Sequence, residues 1–283
     1  MISKSGSTAR ASTAKDWLGR LQSAAGRWAV RGIDLLYPPR CPVCGHEPGI
    51  ASQQLDESLG TASPWAAVVC SGCTQELSAD LERCQRCGEP TTAAAGCQAC
   101  LQRRHDWRQI AVLSSYSGSL RDAVLRAKRP AGEGVVLALA SLIVRKHAET
   151  LRVWNVDRAV PVPMHWLRRS LRGTSAPDEL ARGIAAQLGL PWSRTLVRSR
   201  ATRMQNELPI GERPGNVEGA FRCRQPLAGE RILLVDDVVT TGATLSACCR
   251  ALLAAGAASV DVAVVARADR GRDDTSREES RAW

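Results

Sequence analysis

Aromatic residues other than tryptophan are scarce in this chain: 283 residues contain one Phe and two Tyr against eight Trp. Stacking surfaces for single-stranded nucleic acid are therefore limited to the tryptophans. No apolar run is long enough to span a bilayer, and the first thirty residues lack the uninterrupted apolar core of a secretory signal. These absences predict a cytoplasmic protein with no membrane span. In a reducing compartment, the eleven cysteines are expected to be metal ligands rather than disulfides. What the chain has in quantity is apolar content, 44%, enough at this length for a sizeable core and more than one domain.

Positive charge is in excess but unevenly spread. The net charge is +10, with +5 on residues 1–40 and −3 on residues 41–109, which leaves +8 for the remainder. A basic balance suits a polyphosphate, a nucleic acid or an acidic membrane surface, and ordinary solubility explains it equally well. Residues 1–12 are rich in Ser, Ala and Thr and read as disordered. From Ala14 to about Leu36, apolar residues recur at helical spacing (Trp17, Leu18, Leu21, Ala24, Ala25, Trp28, Ile33), with Lys15, Arg20, Arg27 and Arg31 on the polar side. Residues 1–40 are thus expected to be a leader and an amphipathic helix, stopped by Tyr37-Pro38-Pro39.

Four Cys-x-x-Cys pairs follow within sixty residues: Cys41/Cys44, Cys70/Cys73, Cys84/Cys87 and Cys97/Cys100. Two-residue spacing lets both sulfurs face one ion, and four thiolates at about 2.3 Å close a tetrahedral zinc shell. The simplest partition is sequential, with Cys41, Cys44, Cys70 and Cys73 on one zinc and Cys84, Cys87, Cys97 and Cys100 on the other. An interleaved arrangement satisfies the same spacing. Either way both sites are closed and structural, because no ligand position is left for water. Residues 41–108 are read as this double zinc finger module. Cys223, Cys248 and Cys249 lack the spacing, and the last two read as small core residues.

From Gln109 the pattern alternates between strand and helix. Strands are expected at Ile110–Tyr116, Ala159–Val162, Ile232–Val235 and Val260–Val265. Helices are expected at Gly118–Lys128, Glu133–Glu149, Pro177–Leu188 and about Ala243–Ala255. Such alternation implies an α/β fold with a mostly parallel, doubly wound sheet. It occupies 109–266, and 267–283 reads as a solvated tail with five basic and five acidic side chains.

Within that domain, the segment from Ile232 to Leu245 carries the chemistry. Four apolar residues lead to Asp236 and Asp237, then to the small-residue loop Thr240-Thr241-Gly242-Ala243-Thr244, then to an Ala-rich helix. The free amides of a first helical turn, and the helix dipole, favour an anion there. The threonine hydroxyls add donors, and Gly242 lets the backbone approach closely. The carboxylates suit ribose hydroxyls or a divalent cation bridging to a pyrophosphate. A second cluster, Arg168, Arg169 and Arg172, follows the strand at Val160-Pro161-Val162-Pro163 and could clamp a pyrophosphate.

The 232–245 segment resembles the phosphoribosyl pyrophosphate (PRPP) signature of type I phosphoribosyltransferases. That resemblance implies that Asp236 and Asp237 face the ribose hydroxyls. It also implies that Thr240, Thr241, Gly242, Ala243 and Thr244 hold the 5′-phosphate, with Mg2+ accompanying PRPP. The whole chain resembles the ComF family of double-zinc-finger, phosphoribosyltransferase-like competence proteins and their GntX-type relatives. The residues that carry this second likeness are the helix ending in Pro-Pro-x-Cys, the four cysteine pairs, Leu125-x-x-Lys128, the Val160–Pro163 strand, Gln205-x-x-Leu208 with Arg213, Asn216 and Phe221, and the PRPP loop. It implies the type I phosphoribosyltransferase fold, Lys128 beside the arginines as a pyrophosphate contact, and a role in handling incoming single-stranded DNA with competence helicase-type proteins. Two departures stand out: the family's Arg-Gly-Phe-Asn-Gln segment is Arg172-Gly173-Thr174-Ser175-Ala176 here, and the Lys-Phe context is Lys128-Arg129-Pro130. The loop position that serves as proton acceptor in purine-salvage relatives is Thr240, which is no general base near neutral pH. Three functions are therefore expected to compete: a PRPP-using enzyme, a single-stranded nucleic-acid-binding module, and a PRPP sensor.

Overall fold

The computed structural model describes residues 40–48, 67–79, 81–91, 97–164, 175–199 and 219–269. The leader helix, the arginines Arg168, Arg169 and Arg172, and the Gln205–Asn216 motif lie outside the described residues. Two short helices belong to the cysteine region, α1 (Ser71–Leu77) and α2 (Gln98–Gln102). The α/β domain then runs β1 (Ile110–Ser115), α3 (Gly118–Ala127), α4 (Glu133–Trp154), β2 (Arg158–Pro161) and α5 (Ala176–Leu188). It continues through β3 (Leu196–Arg198), β4 (Phe221–Cys223), β5 (Arg231–Val239), α6 (Ala243–Ala254) and β6 (Ser259–Arg267).

Four strands form a parallel sheet in the order β1-β6-β5-β2. Side chains alternate strictly between its faces, as strand geometry requires. Leu113, Leu233, Val235, Ala263 and Val265 pack with α3, α4 and α5 in one core. Val112, Ile232, Leu234, Val262 and Val264 pack with α6 in the other. The expected doubly wound α/β sheet is therefore present, buried on both faces.

Several boundaries differ from the sequence reading, each for a tertiary reason. β5 does not stop at Val235; it continues through the two acids to Val239, because β6 pairs with it as far as Val239↔Arg267. On the other side β2 ends at Pro161↔Val235, so the acids lie where one neighbour has gone and the other remains. α4 runs past Glu149 to Trp154, crossing a break at His147 (φ −117°, ψ 20°), and ends on the left-handed Asn155. The stretch read as a solvated tail starts too early at 267. Arg267 closes β6 and Asp269 is buried, since both charges are paired with groups in the cysteine region. The pairing of β3 with β4, an antiparallel ribbon, has no counterpart in the sequence reading.

The cysteine region is built into this domain. Cys41, Val43, Val69, Cys73 and Leu77 belong to the same apolar core as α3 and α4. The Lys146 ammonium, on α4, donates to the carbonyls of Ser78, Ala79 and Leu113 at 3.0–3.2 Å. On the opposite side, Gln85 O accepts from the Ile110 amide at 2.8 Å. Gly88, at φ +76°, lies so close to Val112 that a Cβ there would sit 2.7 Å from its Cγ2.

Candidate functional site

Two groups of four thiols converge, Cys41/Cys44/Cys70/Cys73 and Cys84/Cys87/Cys97/Cys100, with all sulfurs in each group within 4.8 Å of one another. This is the sequential partition. Sulfurs at about 2.3 Å from one tetrahedral ion lie roughly 3.8 Å apart. The observed separations are 3.6 Å for Cys44–Cys70, 3.6 Å for Cys84–Cys100 and 3.3 Å for Cys87–Cys97. The donor set and its spacing therefore fit structural zinc. Within each group the thiols are not equivalent. Burial works to raise Cys41, but backbone amides at Cys70, Cys44 and Val43 outweigh it and lower its pKa to about 7. Burial raises Cys73 and Cys87, and the neighbouring sulfurs add to that. Cys84 is likewise lowered by its knuckle amides against the effect of burial.

At the end of β5 the two acids are followed directly by the 240–244 loop. The Asp236 carboxylate accepts from the Asp237 amide at 2.9 Å, and the Asp237 carboxylate accepts from the Val238 amide at 2.7 Å. Lys128, one residue beyond α3, places its ammonium 2.8 Å from Asp237. Burial works to lower the Lys128 pKa, but the charge of Asp237 and its hydrogen bond more than offset this, so it is raised overall. Burial raises the Asp236 carboxyl well above the usual carboxylate range, and the Asp237 charge adds to the effect. Asp237 also lines a small apolar cavity with Ala127, Val136, Leu180 and Val265. The structure thus brings Lys128 to the acids; the arginines it was expected to join lie outside the described residues.

The loop turns into α6 through Gly242, which has φ +77° and serves as N-cap without a side-chain cap of its own. The Thr241 hydroxyl accepts from the Ala243 amide at 3.3 Å, and the Ser246 amide closes the first turn on Gly242 O at 2.9 Å. Thr240 is exposed, and Thr241 and Thr244 are half-buried, so the hydroxyls line an accessible rim above the helix N-terminus. Cys248 and Cys249 are fully buried on α6 beneath it, as expected of small core residues.

Sequence reasoning missed Trp107. Its ring lies against Gly242 and its indole N–H donates to Arg86 O at 2.7 Å. It also missed Arg267 and Asp269, which hold Glu89 and Arg83 in buried ion pairs. The signal available was weak: a Trp seven residues after the last paired cysteine, and a charge at the end of an apolar strand.

A parallel α/β domain with this acid-loop-helix segment, joined to two four-cysteine clusters, defines a phosphoribosyltransferase domain with a double zinc ribbon. Family models match accordingly: a phosphoribosyl transferase domain over residues 179–282 and a double zinc ribbon domain over residues 32–101. The chain is 34% identical over 199 residues to the DNA utilization protein YhgH of Salmonella typhimurium, covering 69% of this chain and 88% of that one. It is 28% identical over 208 residues to Competence protein F of Haemophilus influenzae, covering 71% and 90%. The chain belongs to the ComF family. Among solved structures, a purine phosphoribosyltransferase from Pyrococcus horikoshii is similar at 15% identity and a TM-score of 0.29, covering 56% of this chain and 89% of that one.

Proposed function

We propose that this protein binds PRPP as its Mg2+ complex. Asp236 and Asp237 face the ribose hydroxyls, and Thr240, Thr241, Gly242, Ala243 and Thr244 hold the 5′-phosphate. The observation that carries the reading is the end of β5. Two carboxylates lie where β2 has stopped, and the chain then turns through a left-handed glycine N-cap into a helix start. Carboxylates suit hydroxyls and a hydrated cation, and the helix start suits a phosphate. Lys128 balances the acids in the free protein. Lys128, Arg168, Arg169 and Arg172 are the cations we assign to the leaving pyrophosphate. Phosphoribosyl transfer breaks the bond from C1′ to pyrophosphate and develops positive charge on the ribose, which fixed carboxylates stabilise. No general base is needed for an acceptor that is already deprotonated. Zinc takes no part in this chemistry, because four thiolates complete its shell. Calorimetry with PRPP and Mg2+, on the parent and on Asp237→Asn, tests the assignment; equal affinity in both refutes it.

A second reading is favoured by the relatives, which are named for DNA utilization and competence. Single-stranded DNA would be bound through phosphates by the basic leader and by the Arg168, Arg169 and Arg172 cluster, with a competence helicase-type protein as partner. The domain would then sense PRPP without turning it over. Such binding would weaken with salt at about −0.7 log units per log unit for each phosphate neutralised. Replacing the three arginines with Ala should flatten that slope by up to roughly two units; an unchanged slope rejects the cluster as the contact. Among the described residues no helix is long and apolar enough to cross a membrane. Eight cysteines kept as thiolate ligands fit the reducing cytoplasm.

A further inference from the structure

The second cysteine cluster and the 240–244 loop are joined by one side chain. Trp107 is 2% exposed. At one end its indole N–H donates to the carbonyl of Arg86, which lies inside the Cys84-x-x-Cys87 knuckle, at 2.7 Å. At the other end its six-membered ring covers Gly242: a Cβ there would sit 2.8 Å from Cη2 and 3.6 Å from Cζ3. The ring therefore spans the distance from a metal knuckle to the N-cap of α6. A second connection runs in parallel. Arg267 is held by Glu89, two residues beyond Cys87, and its backbone stands opposite Val239 in the ladder that delivers the chain to Thr240. The neighbouring Ala268 amide donates to Val239 O at 2.9 Å. Among the described residues the first cluster has no counterpart to Trp107; its core residues pack with α3 and α4.

We infer that Trp107 is a positioning residue, which fixes the backbone of the 240–244 loop against the knuckle of the second cysteine cluster. The physical reason is the geometry of the loop. Gly242 sits at φ +77°, a conformation that glycine adopts freely but leaves as readily. An anion site at a helix start works only if its amides are already aimed, so something outside the loop must hold this glycine. A rigid bicyclic ring, anchored through its N–H and with its Cη2 edge set against Gly242, does that. That the ligand is a phosphate rests on the PRPP reading above; the mechanical coupling does not.

The test uses full-length protein loaded with zinc. Hydrogen exchange is followed in the ligand-free state for the parent, Trp107→Phe and Trp107→Leu, with zinc content measured on each. Phe keeps an aromatic ring but lacks the N–H that reaches Arg86 and the outer ring edge that reaches Gly242. Amides of residues 240–246 are expected to exchange about tenfold faster in Trp107→Phe, and faster still in Trp107→Leu, while central amides of β5 and β6 are unchanged. Loss of zinc from the 84–100 cluster with the sheet still protected would show the same coupling in reverse. Loop exchange equal to the parent in both variants, or acceleration spread evenly through the sheet, overturns the inference. PRPP titration of the same samples separates the two claims. Parent protein that fails to bind PRPP removes the phosphate reading while the exchange result stands. If the parent binds, Trp107→Phe is expected to bind about five- to tenfold more weakly, and by linkage PRPP should slow zinc release from the parent but not from this variant.

Discussion

The two cysteine clusters share one motif and one spacing, yet they do different work. The first is built into the face formed by α3 and α4. Cys41 and Cys73 are buried there with Val43, Val69 and Leu77. Polar ties complete it: the Ala67 amide donates to Ser141 Oγ at 3.0 Å, and Arg126 donates to Val43 O at 2.7 Å. The second cluster meets the opposite face and the end of the sheet. Through Trp107, Glu89 and Arg83 it contacts the residues that flank the 240–244 loop. A metal motif therefore says that a site is closed, but the neighbours of its knuckle decide what the closure holds in place.

The largest expected effect separates the clusters from a detachable appendage. In small sites of this type roughly 10 kcal/mol of metal-binding energy is also folding energy. Because the first cluster shares its core with α3 and α4, chelating both zincs should unfold the domain with the ribbons, in one calorimetric transition. A surviving transition of parent-like Tm would show that the ribbons are independent. Next, Cys73→Ser and Cys87→Ser should each retain one zinc; at temperatures where the sheet stays folded, Cys73→Ser should chiefly lower Tm, whereas Cys87→Ser should also lose PRPP affinity by tenfold or more. Equal losses in the two variants would erase the contrast drawn here. The buried pair of Arg267 and Glu89, 5% and 9% exposed, comes third. Arg267→Ala removes one member of this buried ion pair and should cost about 3–5 kcal/mol in denaturant unfolding. A cost below 1 kcal/mol would mean that the dock bears little load.

Much of this arrangement was readable beforehand because it is local. The acid pair, the small-residue loop and the helix after it are contiguous, and the two sulfur quartets form from neighbouring pairs. The alternation of strand and helix likewise gave the parallel sheet. What escaped was long-range. Trp107 acts between Arg86 and Gly242, and Arg83 finds Asp269 from the far end of the chain; no spacing announces either. The extension of β5 through Asp236 and Asp237 was missed because acids read as the end of a strand, whereas β6 supplies ladder partners for them that only the fold reveals.

A smaller effect concerns pH. The folded Asp236 carboxyl is raised above the ordinary 3.8 by burial and by Asp237. Its native state thus keeps a proton that the unfolded chain has lost, and stability falls as pH rises from about that value toward the raised pKa. Asp236→Asn should remove this decline and raise Tm at neutral pH, while weakening PRPP binding. A variant less stable than the parent at pH 7 would show that the carboxylate is held by favourable contacts instead.

The central claim is that the end of β5 and the start of α6 form a PRPP site. Isothermal titration of zinc-loaded protein with PRPP in Mg2+, repeated on Asp237→Asn and Thr241→Ala, tests it most directly. The account predicts saturable binding by the parent and a loss of roughly 1.5–3 kcal/mol, about ten- to a hundredfold, in each variant. Parent-like affinity in both variants, or no binding by the parent, would contradict it.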